Sequence, residues 1–132
     1  MTMVSTTCIQ GELVIANPVY RQETLTFAGA DEFVAGTILA RDSSTTKLVP
    51  FVVGGASGSG TPVAVLPYTV SATGAGDKKV SALISGQVRK DKLVIEDAAD
   101  LSTLTVVHID SLRDFGIIVV DNLDSSKLDN IA

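Results

Sequence analysis

With 132 residues, 45% of them apolar, and a mean hydropathy of +0.37, the chain has the length of one domain and the material for a core. Aromatics make up 5% and Trp is absent, so Val, Ala, Leu and Ile must fill that core, and the net charge of −5 argues against a phosphate-gripping basic face and hence against nucleic acid as a partner. No uninterrupted apolar run exceeds four residues (13–16, 63–66 and 117–120), whereas a bilayer-spanning helix needs about 20, so a membrane is not an expected partner either.

Residues 1–9 are rich in Thr and Ser and hold no sustained period, the pattern of a loose terminus. The start also lacks the early positive charge and apolar stretch of a secretory signal. Cys8 is the single cysteine, which rules out an intrachain disulfide and suits a reducing compartment. Branched side chains in 12–16 and 23–27 predict two short strands, with Pro18, which has no N–H, breaking the ladder between them. Residues 1–32 therefore read as a partly flexible N-terminal arm leading into a β-rich body over 33–121.

In the body, 34–40 and 47–53 predict strands joined by Arg41-Asp42-Ser43-Ser44-Thr45-Thr46, side chains that bond nearby backbone and favour turns. The run GGASGSG at 54–60 predicts a flexible loop, and 62–66 a strand stopped by Pro67. A second loop occupies 71–77. Then 79–84 alternates as a strand, and 87–95 carries Val88, Leu93, Val94 and Ile95 around a charged turn at 89–92.

Past Glu96 the signals mix. Residues 100–104 suit the start of a helix with Asp100 as N-cap, while the β-branched run 105–109 favours a strand. Residues 110–116 read as one helical turn from an acidic cap to a Gly stop, and 117–120 as a buried final strand. A polar tail fills 122–132. The fold class is mainly β with little helix.

No reaction centre is legible. GGASGSGTP lacks the Lys-Ser/Thr that ends a phosphate loop, and GAGDKKV is followed by a β-branched segment instead of a helix. His108 is the only histidine, and no G-x-S-x-G turn accompanies it. One Cys far from one His gives no zinc spacing, and the scattered acids form no calcium loop. The expectation is no catalytic, cofactor-binding or metal site, and no enzyme.

Four stretches, in order, carry a resemblance. The first is the strand pair 36–41 and 47–51, in which Lys47-Leu48-Val49 is followed by the aromatic Phe51. Next comes Gly60-Thr61-Pro62-Val63-Ala64-Val65-Leu66, a small-residue run leading into a strand. Ser85-Gly86-Gln87-Val88-Arg89 before a charged turn is the third, and the turn ending at Phe115-Gly116 with the strand after it is the fourth. Over roughly 34–120 the chain resembles the lambda-type head decoration proteins of tailed bacteriophages. The resemblance implies a small β-barrel-like body of the β-tulip type with an extended N-terminal arm, and a capsid decoration (cement) protein. Such a protein sits on the expanded head as a homotrimer at three-fold or quasi-three-fold sites and steadies it against DNA pressure. It further implies the major capsid protein as partner, the outer capsid surface of the virion as location, and synthesis in the host cytoplasm.

An arm with unpartnered strand potential gains by pairing with a neighbouring sheet edge. Leu13, Val14 and Ile15 in one run, and Leu25 and Phe27 in the other, are accordingly the expected capsid-binding residues. Other readings are a head-joining or tail component, or a small β-barrel carrier domain; for the carrier, Lys90 and Lys92 lack a modification motif.

Overall fold

The computed structural model describes residues 13–96 and 104–120. Eight strands are present: β1 (Val14–Phe27), β2 (Asp31–Phe33), β3 (Ile38–Arg41), β4 (Leu48–Pro50), β5 (Pro62–Val65), β6 (Val70–Ala72), β7 (Gly76–Arg89) and β8 (Ile117–Val120). One helix, α1 (Val106–Asp114), and a 3-10 turn at Lys90–Lys92 complete the described elements. The predicted β class holds. Five strands close into a barrel in the order β1-β4-β3-β5-β7, with β7 returning to β1. β8 adds to β7 in parallel, and β2 and β6 form a separate two-stranded ribbon.

The barrel is two slabs joined by thin seams. In one slab β1 runs antiparallel to β7 from Val14 opposite Val88 to Phe27 opposite Gly76, and β7 also carries β8. In the other, β3 pairs with β4 on one side and with β5 on the other. Between the slabs, β1 meets β4 at one register pair, Leu25 with Leu48, and β5 meets β7 at one, Val65 with Leu83.

Successive strand residues point to opposite faces, and here both faces of the shorter slab are buried. Ile38 and Ala40 of β3 join one apolar cluster with Phe51, Val65, Leu83, Val88, Leu112 and Ile117. Leu39, between them, joins a second with Leu25, Phe27, Phe33, Leu48 and Leu66. α1 and the 93–95 segment cover the first cluster; Phe33, Val70 and Ala72 of the ribbon cover the second. Two small aliphatic cores need few aromatics, and Phe27 stacked on Phe33 at 4.7 Å is the aromatic pair of the second.

Two expectations are corrected. Residues 13–32 are not an arm: β1 is one continuous 14-residue strand and a wall of the barrel. Pro18 does not break it, because the register shifts around Pro18 and Asn17 takes a positive φ of 54°, leaving the missing N–H in a bulge. Gly86 across the ladder makes room, since a Cβ there would stand 3.1 Å from the Asn17 carbonyl. Residues 1–12 lie outside the described residues, as does the 122–132 tail.

The second correction is the run 105–109, which is helical from Val106 onward. Its β-branched propensity is weak beside the burial of Leu112 and the packing of Ile109 on the first core. The 110–116 turn is the end of this same helix, stopped at Gly116, and the expected Asp100 cap lies outside the described residues. The strand predicted at 34–40 is shifted to Ile38–Arg41, one residue past its predicted end, and that predicted at 47–53 is shortened to Leu48–Pro50. β8 matches its predicted span, yet Ile118 faces solvent while Ile117 is buried.

Candidate functional site

β7 ends at Arg89, flanked by the first and last described parts of the chain. The Arg89 N–H donates to the Leu13 carbonyl at 2.8 Å on one side. On the other, Val120 stands opposite Arg89. The chain thus comes into β1 and leaves β8 at one end of the barrel, two strand spacings or roughly 10 Å apart.

The outer face beside that end is apolar. Residues opposite one another in register share a face, so Ala16, Gln87 and Ile118 form a row across β1, β7 and β8, and Val19 lies opposite Ser85 in the same direction. Ile118 is 47% exposed, and Phe115, in the turn just before β8, is 53% exposed. Val106 and Val107 in the first turn of α1 are more exposed still. Val19 and Ile118 are the exposed apolar members of this patch, with Ala16 half-buried and Gln87 polar, and their place beside the end where both described ends of the chain meet makes it the candidate interaction surface.

The side chains expected to touch a capsid are placed elsewhere. Leu13 and Val14 are in the first core, and Leu25 and Phe27 are in the second, the latter two almost wholly buried. Ile15 gives its backbone to β1, and its side chain lies outside the described residues. The strand potential read as unpartnered is satisfied by β7, so these buried side chains are unavailable to a partner. Sequence reasoning missed Phe115 and Ile118. The one signal was that a four-residue branched run at a strand edge cannot bury both faces.

The polar groups do structural work. His108 Nδ1 accepts the Thr105 N–H at 3.2 Å, satisfying a free donor of the helix start, and its ring stands edge-on to Phe51 at 5.1 Å. Asp110 pairs with Arg113. Among the described residues no group of three or more His, Cys, Asp or Glu could hold a metal. The Gly-rich 71–78 turn encloses only an open, polar depression of its own making.

Two carboxylates sit at the β1–β4 seam. Glu23 of β1 accepts from both guanidinium nitrogens of Arg41 of β3, at 3.2 and 3.0 Å, and from Arg21 Nε at 2.7 Å. The Arg41 hydrogen bonds chiefly, then those of Arg21, hold its carboxyl below the ordinary value against the opposing pull of partial burial. Asp77 of β7 accepts from Lys47 Nζ at 2.6 Å and from the Thr26 hydroxyl at 2.9 Å, which lowers its pKa in that order of effect.

A match to a known family settles what this scaffold is for. Residues 5–117 match the family described as bacteriophage lambda head decoration protein D. The chain belongs to that family. A head decoration protein is a component of the virion and associates with the phage capsid. The matched stretch takes in the whole barrel and α1 and ends at the first residue of β8. A comparison with curated proteins found no match.

Proposed function

We propose that this head decoration protein binds the outer surface of the expanded head as a homotrimer at three-fold and quasi-three-fold sites. There it braces the shell against the pressure of packaged DNA, and it catalyses no reaction. The observation that carries the reading is the meeting of both described chain ends at one end of the barrel, beside the exposed Ile118 and with the exposed Phe115 farther back, before the start of β8. That end faces the major capsid protein, and residues 1–12, which lead into it along the chain, contribute to the contact. Three copies engage together, so modest single contacts add up through effective concentration. Two small aliphatic cores also favour a shared subunit interface, since small side chains bury little area each at about 25 cal/mol per Å².

The test compares the full chain, a form lacking residues 1–12, and a Phe115→Ser/Ile118→Ser form for co-pelleting with undecorated expanded shells. Both altered forms are expected to stay folded and to lose decoration. Decoration by both as complete as that of the full chain would refute this docking end. Sedimentation of the free protein at micromolar concentration is expected to give a trimer, and a persistent monomer would refute the assembly.

A further inference from the structure

We infer that the barrel opens locally at the β1–β4 seam, with the β5–β7 seam as its hinge and Glu23 and Asp77 as the latches that keep it shut. The β1–β7 ladder has eleven register pairs and β7–β8 has four, whereas each seam has one. Backbone hydrogen bonding therefore resists separation within a slab far more than between slabs, and local opening follows the thinnest bonding.

The two seams are closed by different means. At β5–β7 the register pair is Val65 with Leu83, both wholly buried, and the Tyr68 hydroxyl accepts the Ser81 N–H at 2.7 Å. That set holds no ion pair, and the 66–75 connection ties the same two strands covalently. The β1–β4 pair, Leu25 with Leu48, is also buried but is bracketed by charge. Glu23 reaches from β1 to Arg41, whose guanidinium also donates to the Thr46 carbonyl at 2.7 Å and so straddles the start of β4. Asp77 of β7, which accepts the hydroxyl of Thr26 opposite it on β1, also holds Lys47 immediately before β4. The charged groups facing the latches are Arg21 and Arg41 around Glu23, and Lys47 and Lys79 around Asp77. All are cations, so neutralising the two carboxylates leaves four positive charges around the seam with no counter-charge in either latch. The seam then separates while the ladder stays intact.

The test uses buried thiols at opposite ends of the β1–β7 ladder. Leu25→Cys reports on the seam and Val88→Cys on the ladder end, each made in a Cys8→Ser chain. Labelling by a small disulfide reagent at neutral pH is compared with and without the isosteric pair Glu23→Gln and Asp77→Asn. The latch substitutions are expected to accelerate labelling of L25C at least tenfold and of V88C less than twofold. Equal acceleration of both, or of neither, overturns the inference. Amide exchange of the unsubstituted chain guards against an unfolded variant. Peptides over 46–51 are expected to exchange faster than those over 83–89, and equal protection overturns the proposal as well. Neither readout involves a shell or a trimer, so failure here is distinct from failure of the docking end.

Discussion

β7 and β4 both border β1, and they hold it very differently. β7 runs beside it for the whole strand, while β4 touches it at Leu25 alone in backbone register. A closed barrel need not be an evenly bonded one. Here cooperativity resides in the long antiparallel ribbon and in its two aliphatic cores, and the closure is completed by side chains. The ribbon also carries the end proposed to dock, so on that proposal the stiff part of the molecule meets the shell.

The sharpest way to break this comparison is to remove its long side. Deleting residues 1–27 takes away β1 and with it Leu25 and Phe27, leaving both cores open and β7 an unpaired edge. The expected product has no cooperative melting transition and is aggregated or unfolded by circular dichroism. Deleting residues 1–12 alone is expected to keep the far-ultraviolet spectrum and melting temperature, because the barrel closes among described residues from 13 onward. Equal behaviour of the two truncations would show that β1 is dispensable.

Next in size are the leucines of the two regions. Leu48→Ala at the β1–β4 seam and Leu83→Ala, which faces Val65 across the β5–β7 hinge, each empty a wholly buried site, and each is expected to cost about 2–5 kcal/mol in denaturant unfolding. Their local consequences should differ. L48A is expected to raise amide exchange over 46–51 beyond what the lost global stability explains, whereas L83A raises it everywhere by a common factor.

Much of this plan was legible in the chain. Val and Ile runs punctuated by Gly, Pro and Asp gave the β class, and β5 and β8 lie where their branched runs predicted. Leu25-Thr26-Phe27 even carried the in-out-in alternation of a half-buried strand, though nothing local said that its inner face met this chain's own core. The continuous β1 was hidden because the bulge at Pro18 packs against Gly86, 68 positions away, and local rules do not see that far. α1 was hidden because Thr105, Val106 and Val107 are β-branched, while the burial of Leu112 that overrides them is a tertiary fact. The proposed docking end was illegible for the same reason. It exists only where the register sets Ile118 beside Gln87 and Ala16.

A smaller effect probes the seam by pH. The folded-state pKa of Glu23 is depressed, so the unfolded chain takes up its proton first as pH falls. The stability it contributes is full above the unfolded value, near 4.3, and is lost as pH drops through the folded value. Glu23→Gln is therefore expected to cost about 1 kcal/mol at pH 7 and to flatten the stability profile below about pH 4.5. Asp77, more exposed, is expected to change the profile in the same direction and by less.

The smallest effect lies away from the seam, at His108 on α1. Its Nδ1 takes the Thr105 N–H at the start of α1, and its ring edge meets Phe51 of the first core. His108→Ala should remove both, at about 1 kcal/mol, the usual size of a lost helix cap. If the comparison between seam and ribbon is right, this loss appears in global unfolding and leaves thiol labelling at Leu25→Cys unchanged relative to that at Val88→Cys. It should also leave capsid decoration at full occupancy, because the imidazole points its bonding atom into its own helix. A decoration defect in H108A with an unchanged melting temperature would mean that the helix start, where Val106 and Val107 stand exposed, touches the capsid itself.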